Sequence, residues 1–323
     1  MRIAVVSHSL VAERQYWFWN YFATLSGAEV RLFSPRKWGV HSVPWGHYIM
    51  NEGDLRTYQF QQDALIALEK FKPDVIYVQN EAYCKVSGQM MYMRKRLGCR
   101  FALFVWENVT PYDQILAGAG FLLEDCDLVV CGSGEAERLV KPYNAKTLKC
   151  IQVGVNADAF RIDPSIEKDY DIIFQGRMVP EKGVDLLRKV ERDDKSLKAL
   201  WPQPSFGTPY RDLYQRYNQA RMLAAHSVDT PEWKEQHAGY ASLEALACGL
   251  YVVTSDSSSI VEGLDGCPGV WFSKMGDLES LKNGISYARR EENVNAAGRE
   301  WVIGKYGYRA VATKLMEAFE KLK

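Results

Sequence analysis

A chain of 323 residues, 47% hydrophobic and 25% charged, is longer than one ordinary core fills and suits two domains of roughly 150 residues each. Its 40 basic side chains balance its 40 acidic ones, which leaves no basic footprint for long nucleic acid. No stretch approaches the ~18 uninterrupted apolar residues of a membrane-spanning helix, and the seven scattered cysteines lack zinc-ligand spacing, so buried, reduced thiols in a cytosol are expected.

The N-terminus, MRIAVVSHSL, reads as a first strand, its apolar run being too short for the core of a signal peptide. Further apolar, β-branched runs predict strands at Glu29–Phe33, Val75–Val78, Phe101–Val105 and Leu128–Cys131, with amphipathic stretches between them. Tyr16, Trp17 and Trp19 stand at helical spacing and are expected to pack on the sheet; the alternative is that they offer aromatic faces to a sugar or lipid. From Asp54 to Phe71, Leu55, Tyr58, Gln62, Leu65, Leu68 and Phe71 share one stripe, predicting a helix that Lys72-Pro73 ends. The GSGEAE run at Gly132 to Glu137 lacks the third glycine of a dinucleotide fingerprint and follows the fifth strand, which argues against a nicotinamide enzyme.

Between Gly154 and Lys168 both periodicities break, and a domain boundary is expected there. A second set of strands follows near Asp171–Phe174, Leu197–Trp201, Arg221–Ala225, Tyr251–Thr254 and Val270–Phe272. The fold class is therefore α/β, with two Rossmann-like parallel sheets in tandem. The helical region from about Asp277 to Lys323 is longer than one sheet needs and is expected to cross back onto the first domain.

Two segments of the second half carry the chemistry. In GRMVPEKG, from Gly176 to Gly183, Arg177 and Lys182 bracket a predicted helix N-terminus, with Pro180 and Glu181 suited to a first turn. Two cations beside free backbone N–H groups suit a diphosphate without a metal ion. In EQHAGYASLEALACG, Glu235 and Glu244 flank Gly239, whose missing side chain lets a ligand approach the backbone. Each carboxylate can accept two sugar hydroxyls, so Glu235 is expected to orient a sugar and Glu244 to hold a ribose. A nucleotide sugar is the ligand class these groups describe. The five histidines show no metal-ligand pattern, and no metal is expected.

These segments resemble the retaining glycosyltransferases of the GT-B type, in particular the family 4-like group, over nearly the whole chain. GVNADAF at Gly154 to Phe160 is similar to that family's interdomain Gly-Val-Asp-x-x-x-Phe motif. GRMVPEKG matches its Gly-Arg-x-x-x-x-Lys-Gly signature, and HSVDTPEWKEQ with LEALACG resembles its Pro-Ser-to-Glu-Ala segment. The resemblance implies GT-B architecture: an acceptor-side domain over 1–155, a donor domain over 156–305, and a helix over 306–323 packing back on the first, with an interdomain cleft. It implies transfer of a sugar from a UDP- or GDP-sugar to a hydroxyl of a glycan, a lipid-linked or a small-molecule acceptor, with no cofactor beyond the donor itself.

By the same resemblance Arg177, Lys182 and Glu235 carry catalysis, while Gly176, Gly239, Glu244 and Phe206 bind the donor, Phe206 lining the base pocket. Glu81 in QNEAY, Glu107 and Asn108 in WENV, and His8 after the first strand are the acceptor and cleft candidates. The sequence departs from the family in three places. Eight residues separate Glu235 from Glu244 where seven are usual, so either Glu235 works through a bulge or Gln236 takes its place; Glu235 is preferred. The family's Gly-Gly loop is replaced by SHSLVAERQYWFWN, and the second domain is short between Lys189 and Tyr210. A sugar phosphorylase, a non-catalytic nucleotide-sugar-binding subunit and a DNA-modifying glycosyltransferase remain as alternatives. A cytoplasmic protein touching at most the inner membrane face is expected.

Overall fold

The computed structural model describes residues 1–109, 113–202 and 210–323, with the backbone alone at 113–118. The chain divides into two compact units, Met1–Gly154 with Val311–Lys323, and Val155–Ala310.

In the first unit six parallel strands, β1 (Arg2–Val6), β2 (Glu29–Phe33), β3 (Val75–Val78), β4 (Arg100–Val105), β5 (Leu128–Cys131) and β6 (Thr147–Lys149), stand in the order β6-β5-β4-β3-β1-β2. The central strands are buried along their length, as a parallel sheet covered on both faces requires. One face packs Ile76, Val78, Leu103 and Val105 against Leu68, Phe71, Met90 and Met93 of helices α2 (Gln62–Phe71) and α3 (Lys85–Leu97). On the other, Trp19 and Phe22 of α1 (Glu13–Ser26) meet Tyr77 and Phe319, with edge-on ring contacts of 5.2 Å between Tyr77 and Phe319 and 5.6 Å between Trp19 and Tyr77. Trp19 is buried in this packing, and Tyr16 and Trp17 are half-buried.

Two expectations fail here. The helix predicted over 54–71 begins only at Gln62. Asp54 instead turns the chain by accepting bonds from the Arg56 N–H and the Thr57 hydroxyl, and Phe60 pairs with Ile49 in a short antiparallel ladder. The stripe of apolar residues is real, but side chain to backbone bonds outcompete the helix over its first half. The edge strand β6 was not anticipated, because Thr-Leu-Lys is too short and polar to register as a strand.

The second unit holds β7 (Tyr170–Ile173), β8 (Ala199–Leu200), β9 (Ala220–Ala225), β10 (Tyr251–Ser255) and β11 (Val270–Ser273), all parallel in the order β8-β7-β9-β10-β11. Val184, Leu187 and Val190 of α6 (Val184–Asp193) and Leu281 and Ile285 of α10 (Leu278–Ala288) cover one face. Helix α8 (Tyr240–Ala247) lies against β9 and β10 and is itself backed by α11 (Ala296–Tyr306).

Each sheet grows from its first strand in two directions. In the first unit β1 lies between β2 and β3, in register Val6 with Val78; in the second β7 lies between β8 and β9, in register Ile173 with Leu223. The connections therefore diverge at the carboxyl ends of β1 and β3, and of β7 and β9. Such switch points leave an uncovered crevice and are the ligand positions of open α/β sheets.

Candidate functional site

The switch point of the second unit gathers Gly176 to Gly183 after β7 and His226 to Gly239 after β9. Pro180–Lys182 form one 3₁₀ turn, with Pro180 in its first positions, and Gly183 ends it at φ +67°. A Cβ at Gly183 would stand 1.9 Å from the His226 carbonyl oxygen, so the two loops touch backbone to backbone and only glycine fits. The α-helix opens only at Val184, beyond the Arg177–Lys182 bracket in which its N-terminus was expected, and the 3₁₀ turn stands in that place, so Lys182 precedes the helix by two residues.

The close approach puts Lys182 beside the second loop. Its ammonium lies 2.5 Å from Glu235 Oε1 and 4.6 Å from the centre of the Trp233 ring. The Ser227 hydroxyl donates to the same Glu235 oxygen, also at 2.5 Å. Arg177 is separate: its guanidinium is 65% exposed and 3.8 Å from Glu181. Gly176 is exposed, and a Cβ there would make only ordinary contact with Phe174, so its role is not steric.

Beneath the loop, His226 is fully buried and its tautomer is fixed. Nε2 accepts from the Gly276 N–H at 3.0 Å, which leaves the proton on Nδ1 for the Ser273 hydroxyl at 2.9 Å. Burial lowers its pKa, so a neutral imidazole ties the loop after β9 to the end of β11.

Glu244 sits on the buried face of α8, accepting from the Tyr217 hydroxyl at 3.0 Å and the Tyr210 hydroxyl at 3.2 Å. Phe160 backs both tyrosine rings at 5.9 and 5.2 Å, which explains why the run beginning at Gly154 bears on this site. Gly239 caps α8 at φ +76°, a conformation other residues rarely adopt. Gln236 is half-buried in the irregular stretch 234–239 that absorbs the extra residue before the helix. Phe206 lies outside the described residues.

The first unit's switch point holds the other candidates. The Tyr58 hydroxyl donates to Asn80 Oδ1 at 2.9 Å, and Asn80 Nδ2 lies 3.3 Å from His8 Nδ1. Because the amide nitrogen can only donate, His8 accepts at Nδ1 and carries its proton on Nε2. Burial holds its pKa down to about 4, and Trp38 leans over the ring at 4.9 Å. Glu81 is completely buried: Oε1 accepts the Trp106 N–H at 2.6 Å and the Glu107 N–H at 3.0 Å, while Oε2 has no partner among the described residues. Burial, then the neighbouring Glu107 carboxylate, pushes its pKa up to about 8. Glu107 accepts from the Tyr83 hydroxyl at 2.8 Å, its own pKa raised by burial. Asn108 is buried beside it in sequence.

Ser227, Trp233, Tyr210 and Tyr217 in the second unit, and Tyr58, Asn80 and Tyr83 in the first, thus join groups the sequence had flagged. Asn80 and Tyr83 share the QNEAY run with Glu81 and could have been read from it. Tyr58 and Tyr217 reach their partners across 22 and 27 residues, a distance no local pattern spans.

No protein-family model matches the chain, and no curated protein matches it. Among solved structures it is similar to sucrose-phosphate synthase from Thermosynechococcus elongatus, at 14% identity and TM-score 0.74, covering 100% of this chain and 99% of that one. It is similar also to Anabaena HepE in complex with UDP-glucose, at 12% identity and TM-score 0.67 over 99% and 100% of the two chains. An α-glucosyltransferase in complex with UDP-glucose and DNA containing an abasic site matches at 10% identity and TM-score 0.64, over 100% and 99%. The chain has the GT-B fold. At such identities the likeness is one of architecture, and it assigns no chemistry to the GT-B chain's side chains. Among the described residues no helix is long and apolar enough to cross a membrane.

Proposed function

We propose that this GT-B chain is a glycosyltransferase that moves a sugar from a nucleoside diphosphate sugar to a hydroxyl, with retention at the anomeric carbon and without a metal ion. The observation that carries the reading is the pairing of Lys182 with Glu235 at the switch point of the second unit, which sets a cation and a carboxylate side by side. Lys182 and the exposed Arg177 supply positive charge for the departing β-phosphate. Glu235 takes hydroxyls of the transferred sugar, and Glu244, held by Tyr210 and Tyr217, takes those of the ribose. A β-phosphate oxygen accepts the acceptor's proton on the face the leaving group vacates, so no nucleophile from the protein is needed.

In the first unit, His8, with its proton on Nε2, donates a hydrogen bond in the acceptor pocket; Glu107 lines the same pocket. We propose UDP-glucose as the first donor to try, since two of the similar structures hold it. The seven free, buried cysteines support a reducing, cytoplasmic compartment. The test is thermal stabilisation by a panel of UDP-, GDP-, ADP- and CMP-sugars in a chelator, followed by turnover with hydroxyl acceptors and NMR assignment of the product anomer. A selective shift that disappears in the Arg177→Ala/Lys182→Ala double variant is expected; no shift with any donor, or an inverted product, overturns the corresponding part of the proposal.

A further inference from the structure

We propose that the Lys182–Glu235 ion pair is a latch that the intact donor opens and the spent nucleoside diphosphate does not, so that Glu235 sets the preference for substrate over product; this rests on the transferase reading above. The pair is short, at 2.5 Å, and its side chains are only 21% and 15% exposed, so solvent screens it little. Two further groups meet it: the Ser227 hydroxyl shares the same carboxylate oxygen as a second donor, and the Trp233 ring faces the ammonium. One of the two cations that would bind a diphosphate is thus already engaged.

An incoming diphosphate must draw Lys182 away from Glu235. Doing so leaves a carboxylate in a partly dry pocket without that cation, which is costly. A sugar still attached to the β-phosphate brings hydroxyls to the place the ammonium left, and each can donate a charge-assisted hydrogen bond to Glu235. A nucleoside diphosphate has no hydroxyl at that end. The penalty of opening the pair is therefore offset only by the intact donor. Once the sugar has moved to the acceptor, Glu235 recaptures Lys182 and the diphosphate keeps only Arg177 of its two cations, which speeds its departure.

The test is calorimetric titration of the full chain with UDP and with UDP-glucose, or with whichever base and sugar the thermal panel selects, in the absence of acceptor. Glu235→Gln releases Lys182 but offers the sugar a weaker acceptor. It is expected to bind the diphosphate about tenfold more tightly and the donor more weakly. In a Lys182→Gln background the same change should leave diphosphate affinity unmoved. Ser227→Ala, which removes a competing donor to Glu235 and so strengthens its hold on Lys182, moves diphosphate affinity the other way; it serves as the readout if Glu235→Gln proves unfolded. Parallel weakening of both ligands by Glu235→Gln, or the same tightening with and without Lys182, overturns the latch while leaving the transferase intact. A wild-type chain that binds neither ligand overturns both.

Discussion

Glu81 is a buried carboxyl with two backbone N–H donors on one oxygen and, among the described residues, none on the other. Those two bonds favour the anion, but burial and Glu107 outweigh them and hold the pKa at about 8. The proton is therefore retained in the folded state at pH values where the unfolded chain has lost it. Stability is greatest below the ordinary carboxylate range and falls as the pH rises to about 8, beyond which the two states titrate alike. Glu81→Gln keeps the accepting oxygen and removes the titration. It should flatten the dependence of urea-unfolding free energy on pH between 5 and 9, with a gain over wild type on the order of 3 kcal/mol at the upper end; a parallel slope in both proteins would refute the assignment. His8 behaves oppositely. Its pKa is lowered to about 4, so its contribution is complete above the ordinary histidine value and is lost as the pH falls towards 4. NMR titration of the imidazole should give a midpoint near that value and the Nε2–H tautomer above it, whereas a midpoint near ~6.5 would mean a solvated ring. Both residues were flagged in the sequence because they follow strands. Their protonation could not be, since it depends on Tyr58, Asn80 and the Trp106–Glu107 backbone, which folding brings from other parts of the chain.

At the scale of elements, the loop from Gly176 to Gly183 is held by its glycine end. The sequence showed the motif, but the reason for Gly183 is visible only in the contact with the His226 carbonyl and the positive φ. Gly183→Ala must push two loops apart and strain the backbone as well. It is expected to cost about 2–4 kcal/mol in chemical denaturation and to weaken donor binding in step, because Lys182 is the neighbouring residue. Gly176→Ala, which meets only ordinary contact, should leave stability within about 0.5 kcal/mol of wild type. Equal losses from the two changes would mean that the loop is not braced where the contact lies. Strands were legible wherever burial on both faces wrote a continuous apolar run, as in β3, β4 and β5. The 54–71 stretch was misread because apolar periodicity says which residues face the core and not which hydrogen bonds the backbone makes; Asp54 decided that locally. The choice between Glu235 and Gln236 stayed open in the sequence because the two are neighbours in irregular backbone; of the pair, Glu235 is the one in contact with Lys182.

Over the whole molecule, the two units do not follow one another simply along the chain. The first is completed by Val311–Lys323, and Phe319 from that segment lies against Phe22 and Tyr77, with its ring 6.1 and 5.2 Å from theirs. Phe319→Ala would open a cavity under the first sheet and should lower stability by about 3–5 kcal/mol, read as earlier unfolding of the first unit by hydrogen exchange. If protection were lost evenly across both units, the helix would not belong to the first core. Length, balanced charge and the alternation of strand and helix were enough to read an α/β chain with two sheets. That its final helical region returns to the first domain was expected from its length and from the family resemblance; the individual partners Phe22 and Tyr77 were not legible, because contacts between residues hundreds of positions apart leave no periodic trace in either segment.

The return of the last helix also bears on the order in which the protein can be made. A ribosome delivers Trp19, Phe22 and Tyr77 well before Phe319, with the whole of the second sheet emerging in between. The unit that comes second in the sequence can therefore fold while the first still waits with an uncovered aromatic face, and that face is what a chaperone or an aggregating neighbour would meet. A transcript cut short between the codons of Ala310 and Phe319 would release a chain with both sheets and the described groups of both switch points, yet with the first core open on one side.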